Sequence, residues 1–271
     1  MLAMIPMYYL ITLAIVQGIT EFLPISSSAH LVLLPSIMDE ADQGLIIDVA
    51  VHVGTLFAVM LYFWRDIWGI TKSYTIGIAR NDTDTVFFRK LGLYSVLASI
   101  PVIIAGFTLH MIVPTGIRSP LVIAIMTLVF GLLLWFADRK LGDRDLTDLG
   151  WKAALMVGVA QIFALIPGTS RSGVTMTAAR FLGFSRTEAA RFALLLGIPA
   201  ILGAGTLSAI DLIQSGDLHL QQDALIAAVL SFITAYISII VMMKWLKSST
   251  FTPFVIYRMI LGTLLLLYIM V

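Results

Sequence analysis

The sequence predicts an all-α polytopic membrane protein of two inverted-topology repeats. Each repeat is a re-entrant helical hairpin followed by three transmembrane helices, giving six full spans and about ten helices. Three observations predict this. Of the 271 residues, 59% are hydrophobic and 12% charged, with a mean hydropathy of +0.99; a soluble domain carries roughly a quarter charged residues. The apolar residues form long runs without the ten-residue alternation of a membrane barrel, and lipid leaves backbone groups no partner outside a helix or closed barrel. Finally, two polar stretches broken by proline, Gln17 to His30 and Gln161 to Gly173, stand about 145 residues apart.

Bulk properties exclude several classes. A net charge of +1 gives no reason to expect a nucleic-acid partner. The absence of cysteine excludes disulfides, thiolate metal sites and cysteine nucleophiles. Residues 2–23 lack a basic leader and put Glu21 where cleavage would fall, so no cleavable signal is expected.

The first repeat, 1–140, opens with residues 6–38, where an apolar run ends at Pro24 and a second short one follows. Neither run crosses a bilayer alone, so the pair reads as a re-entrant hairpin. Spans are expected at 44–64, 91–113 and 120–137. The second repeat, 141–271, begins with a hairpin at 153–183, broken at Pro167-Gly168, and continues with spans at 189–212, 222–243 and 253–271. Three spans are an odd number, so the second repeat is inverted relative to the first.

Charge supports this arrangement. Fourteen of the 17 Lys and Arg fall in four regions that share one side: 65–90 (with Arg80), 138–152, the segment holding Arg180, Arg186 and Arg191, and 244–252. The opposite loops, 39–43, 114–119 and 213–221, hold only Arg118. The positive-inside rule makes the basic side cytoplasmic and puts both termini and the first hairpin's mouth outside.

The two breaks carry the chemistry. Gln17 and Glu21 are four apart and share a helix face. Pro24 stops that helix; Ser26, Ser27 or Ser28 caps the next, and His30 falls in its first turn. A half-helix N-terminus is a natural anion site. In the second break Gly168 permits close backbone approach and Thr169 or Ser170 caps. Arg171 supplies a positive fork for phosphate, with Ser172 and Thr175 nearby. Two converging half-helix ends suit a diphosphate. Singly, each residue has a plain structural reading. Gln17 with Glu21 could be a buried pair, the serines caps, His30 a structural hydrogen-bonder and Arg171 a counter-charge for Glu21. Their coincidence at two matched breaks favours a site. His52 and Asp48, four apart on a span, are kept as supporting groups. Arg258 is expected to pair with an acid such as Glu188, and His110 and His219 sit near membrane edges.

The segments QGITEFLPISSSAH and PGTSRSGVT resemble the two signature motifs of the undecaprenyl-diphosphate phosphatase family of the bacitracin-resistance type. Phe63-Trp64-Arg65 and the segment from Pro253 to Arg258 extend the resemblance over essentially the whole chain. It implies two inverted repeats with re-entrant helices in a bacterial plasma membrane, and a site that opens outward. It implies hydrolysis of the polyprenyl lipid undecaprenyl diphosphate to undecaprenyl phosphate, which recycles the carrier for cell-wall synthesis. Mg²⁺ or Ca²⁺ is implied as cofactor, with Glu21, together with Gln17, as ligand. The family's first motif commonly begins with Glu; here it is Gln17, which leaves one carboxylate and weakens a two-carboxylate metal site.

On this reading Arg171 and the half-helix N–H groups hold the phosphates. Ser27 is the nucleophile or orients an attacking water, Glu21 is its base or a metal ligand, and His30 protonates the leaving phosphate or stabilises the developing charge. Spacing leaves the reverse assignment, His30 attacking phosphorus, open. Gln17, Ser26, Ser28, Ser170, Ser172 and Thr175 are the expected diphosphate contacts. The alternative class is a lipid-phosphate flippase, since broken helices in inverted repeats also build transporters. Such a carrier would need Arg171 but has little use for Glu21, Ser27 and His30 together. The oligomeric state stays open, a homo-oligomer being compatible with the sequence.

Overall fold

The protein is described by a computed structural model covering residues 5–76, 82–112, 119–140, 142–215 and 217–270; Arg80, Arg118 and the side chain of His110 lie outside the described residues. The described residues are helical and form no β-strand, only an isolated bridge between Arg144 and Phe184.

The first hairpin is α1 (Met7–Thr20) and α2 (Ser27–Met38). Helices of 14 and 12 residues rise about 21 and 18 Å, short of the ~30 Å hydrocarbon core. α1 ends ahead of Pro24, which cannot donate to a continuing helix and pushes the preceding residue out of helical geometry. There follow α3 (Gly44–Tyr62), α4 (Trp64–Tyr74), α5 (Thr83–Ile112) and α6 (Pro120–Arg139). The second hairpin is α7 (Trp151–Gln161), a 3₁₀ turn at Ile162–Leu165, and α8 (Arg171–Phe181). The chain closes with α9 (Arg186–Ser215), α10 (Leu218–Leu246) and α11 (Thr252–Met270). Among the described residues, α3, α5, α6, α10 and α11 are long and apolar enough to cross a membrane.

Two boundaries depart from the sequence reading. α5 starts at Thr83 rather than 91, because Asp82 caps it by accepting the Thr85 N–H at 3.0 Å. Part of the expected 65–90 loop is helix α4, which buries Asp66 and Ser73 and exposes Trp64 and Trp68.

Outward faces carry large apolar side chains such as Ile100, Phe107, Val129, Ile237 and Leu264, as a lipid-facing surface requires. Helix contacts instead use small residues. α1 packs on α10 where Gly18 meets the backbone of Ser231 and Ala235; α7 packs on α5 where Gly158 meets Ala98. A Cβ on Gly158 would lie 2.3 Å from the Ala98 carbonyl oxygen, so only glycine allows that approach.

At one end of the bundle, carboxylates tie the loops together. Asp138 accepts from Arg186 Nε at 2.6 Å and from the Phe251 N–H at 2.9 Å, with Arg180 Nε 3.6 Å away. Asp66 on α4 pairs with Arg191 on α9, and Glu188 lies 3.3 Å from the same arginine.

Candidate active site

The two hairpin breaks share a local design. Ser26 precedes α2 with φ +75° and Ser170 precedes α8 with φ +70°, a region that non-glycine residues rarely enter. In each case the hydroxyl lies 3.2 Å from that of the serine two residues on, Ser28 or Ser172. Ser170 Oγ also accepts the Gly173 N–H at 3.1 Å and caps α8. Gly168 takes φ +93°, and a Cβ there would stand 2.4 Å from the Ile123 carbonyl oxygen. Glycine therefore lets the second break lie directly against α6.

Glu21 is the centre. It is buried, and Oε2 accepts from Gln17 Nε2 at 2.9 Å and Ser27 Oγ at 2.7 Å. Its Oε1 accepts from Arg171 Nη2 at 2.6 Å, joining the hairpins by an ion pair. Arg171 Nη1 donates to the Gly197 carbonyl at 3.0 Å, and a Cβ on Gly197 would fall 2.5 Å from that same nitrogen. Gly197 thus makes room for the guanidinium, a role no local motif signalled. Ser172 Oγ lies within 3.3 Å of the Glu21 and Leu23 carbonyl oxygens, so it fastens the second hairpin to the first.

These groups wall a cavity of about 480 Å³. Its polar lining is Glu21, Ser27, Ser28, Asp48, His52, Ser170 and Arg171; its apolar lining is Leu45, Val49, Ala164, Leu165 and Ile201. Four expected diphosphate contacts, Gln17, Ser26, Ser172 and Thr175, lie off the cavity wall, as does His30; Gln17 is fully buried and donates to Glu21. Ser26 and Ser172 are buried against their own and the facing break. Thr175 is fully buried and donates to the Arg171 carbonyl at 2.8 Å, one turn back on its own helix. His30 turns away toward α11. Its Nδ1 donates to the Ser26 carbonyl at 2.7 Å and its Nε2 meets the Tyr257 hydroxyl at 2.5 Å, with the two rings stacked. The imidazole on the cavity wall is His52, whose Nε2 lies 3.6 Å from Glu21 Oε2.

Arg258 corrects the expectation of a pairing with Glu188, which lies instead beside Arg191. Arg258 is fully buried, and all five of its hydrogen bonds run to backbone carbonyls. They come from Pro24 in the first break, Gly168 and Thr169 in the second, and Met126 and Thr127 on α6, at 2.9–3.3 Å. Breaking a helix frees carbonyls that have no partner along the chain, and this guanidinium satisfies them.

The family model described as "Bacitracin resistance protein BacA" matches residues 10–264, a stretch that takes in both hairpins and Arg258. The chain belongs to the BacA family. Similar relatives are named undecaprenyl-diphosphatase. That of Roseobacter denitrificans is 48% identical over 268 residues, covering 97% of this chain and 98% of the relative. Those of Ruegeria pomeroyi and Campylobacter curvus are each 45% identical, covering 96% and 95% of this chain and 97% of each relative. This BacA chain therefore aligns with these relatives over 95–97% of its length.

Proposed function

We propose that the chain is an integral-membrane phosphatase that hydrolyses undecaprenyl diphosphate to undecaprenyl phosphate and inorganic phosphate. Such a reaction recycles the lipid carrier for cell-wall synthesis and fits a role in bacitracin resistance. The observation that carries it is the line Ser27–Glu21–Arg171, built from both hairpins on the wall of one cavity. The cavity's polar lining residues suit a diphosphate and its apolar ones the start of a prenyl tail. The relatives' shared name, undecaprenyl-diphosphatase, points the same way.

In this mechanism Arg171 and the hydroxyls of Ser28 and Ser170 hold phosphate oxygens. Ser27, donating to Glu21 at 2.7 Å, is the nucleophile and Glu21 the base that takes its proton. As the P–O bond breaks, Arg171 offsets charge on the transferring phosphoryl group. A carrier would have no use for a hydroxyl aimed at a carboxylate, which argues against the flippase.

A divalent ion has limited support from the protein. Glu21 has both oxygens engaged. The Gln17 Oε1 is buried without a partner, and the described residues hold no group of three or more His, Cys, Asp and Glu placed to hold a metal ion. Glu21 and Gln17 Oε1 are the protein oxygens that would hold a Mg²⁺ or Ca²⁺, with the diphosphate supplying the rest. Such an ion would neutralise phosphate charge. Detergent-solubilised protein is expected to release phosphate from a prenyl diphosphate with Mg²⁺ or Ca²⁺ present, and to lose most of that activity in excess chelator. Ser27→Ala should retain about a hundredth or less. Wild-type protein that released none would leave the flippase, to be tested in sided liposomes.

Two inverted repeats with six spans, α9 among them, are the architecture that best accounts for the paired features. Gln17 and Gln161 are both buried, each nine residues before the positive-φ serine of its break. The contact of α1 with α10 mirrors that of α7 with α5. The end that gathers Arg180, Arg186 and Arg191 would face the cytoplasm of a bacterial cell, with the cavity opening outward. The chain lacks cysteine, so single cysteines report topology. An impermeant maleimide should label Ala41→Cys in intact cells and Ser248→Cys only after permeabilisation; the opposite pattern would reverse the orientation.

A further inference from the structure

We propose that the hollow between α4 and the start of α5 binds the headgroup of an ethanolamine phospholipid. The proposal is independent of the phosphatase reading and concerns residues that the diphosphate site does not use. α3 has 19 residues and rises about 28 Å, close to the ~30 Å hydrocarbon core, so the turn at Phe63 into α4 falls at a membrane surface. Asp66 anchors α4 to Arg191 on α9, at the end of the bundle where basic residues gather. The helix then presents two unlike faces. Asp66 and Ser73 are buried, while Trp64, Arg65, Trp68 and Lys72 are exposed. At 3.6 residues per turn these four fall within an arc of about 100°. Tryptophan beside arginine and lysine is what a helix lying in the headgroup layer carries.

Between this helix and α5 is a cavity of about 380 Å³ whose lining carries both signs of charge. Arg65 and Lys72 come from α4, Asp82 and Asp84 from the start of α5, and Trp68 and Phe88 add aromatic rings. A Cβ on Gly69 would lie 2.7 Å from the Phe88 ring, so glycine lets that ring lie against α4. Asp82 is committed to capping α5, where it accepts both the N–H and the hydroxyl of Thr85. Arg65, Lys72 and Asp84 make no ion pair among the described residues; the Arg65 guanidinium stands 5.5 Å from the centroid of the Trp64 ring.

Two cations and two carboxylates around one hollow match a ligand that is neutral overall and carries both charges. A phosphate diester joined to a primary ammonium is such a ligand. Arg65 and Lys72 take the phosphate oxygens. Asp84 accepts from the ammonium, which the faces of Trp68 and Phe88 also attract. An anionic glycerol headgroup would bring its phosphate to the same two cations but leave Asp84 facing only hydroxyls, with a net negative charge in the hollow. The occupant is a membrane lipid rather than a soluble phosphoethanolamine, because Trp64 and Trp68 set the site in the headgroup layer, where such groups are concentrated.

The test is a competition. Full-length protein in detergent receives equal amounts of ethanolamine and glycerol phospholipid with the same acyl chains, and the lipid it retains is read by native mass spectrometry. The ethanolamine lipid is expected to be retained at least about three-fold over the glycerol lipid, the size that exposed charge contacts give. Arg65→Gln combined with Lys72→Gln should lower retention of the ethanolamine lipid by at least about three-fold. Asp84→Asn should bring the ratio of the two lipids to about one, because only the ammonium distinguishes them at that residue. All three side chains are exposed, so these variants keep the fold. A smaller wild-type ratio, or one that favours the glycerol lipid, would overturn the proposal. So would a ratio that Asp84→Asn leaves unchanged, or wild-type retention of the ethanolamine lipid by the double variant.

Discussion

Glu21→Gln is expected to lower turnover of a prenyl diphosphate by about three orders of magnitude, within the range seen when a catalytic base is lost. The substitution keeps shape and volume, so the buried position stays filled. It removes the negative charge that receives the Ser27 hydroxyl and the Arg171 guanidinium. It also introduces an amide NH₂ where three donors, from Gln17, Ser27 and Arg171, already converge. Two donors then face each other at one contact at least, and the serine loses its aim. The effect should appear in kcat rather than KM, because the proposed diphosphate contacts at Arg171, Ser28 and Ser170 remain. Turnover within ten-fold of wild type would sink Glu21 as base.

Arg171→Ala should be as damaging to the reaction and worse for the fold. An arginine that stabilises phosphoryl transfer is worth about 10³–10⁵ in rate. Its removal also strands Glu21, whose side chain is 5% exposed, without its counter-charge; a broken buried pair typically costs about 3–5 kcal/mol. The double variant Arg171→Ala with Glu21→Gln separates the two effects. Thermal melting in detergent should recover toward wild type, because no uncompensated charge remains, while phosphate release stays absent. If the single variant melts like wild type, the ion pair does not hold the hairpins together. If it turns over normally, the two-hairpin site is wrong.

The breaks at Pro24 and at Pro167-Gly168 were legible because backbone chemistry is local: a proline or a φ of +93° acts at its own position. So were Glu21 and Arg171, since an ionisable side chain in an apolar run declares itself wherever it lies. Which imidazole faces the cavity was not legible. Spacing along α2 put His30 close to Ser27, but a side chain's direction depends on its rotamer, and His30 finds the Ser26 carbonyl and Tyr257. His52 reaches Glu21 only because α3 packs beside α1, a tertiary contact that no spacing encodes. Arg258 was misread for a different reason. A charge in a membrane helix suggests an opposite charge as partner, whereas the partners here are carbonyls that exist only once both helices are broken.

The Arg258 contacts bear on how lipid could reach the site. Carriers with broken helices work by rocking one half of the molecule against the other. One guanidinium here is bonded to the turn of each hairpin and to α6, from a position on α11. Hydrogen bonds to a charged group are worth roughly 1.5–3 kcal/mol each, and sliding the halves apart would strand a buried cation. The pivot a carrier needs is thus pinned at its centre. Such pinning fits the proposed hydrolysis at a fixed station better than a carrier's rocking cycle.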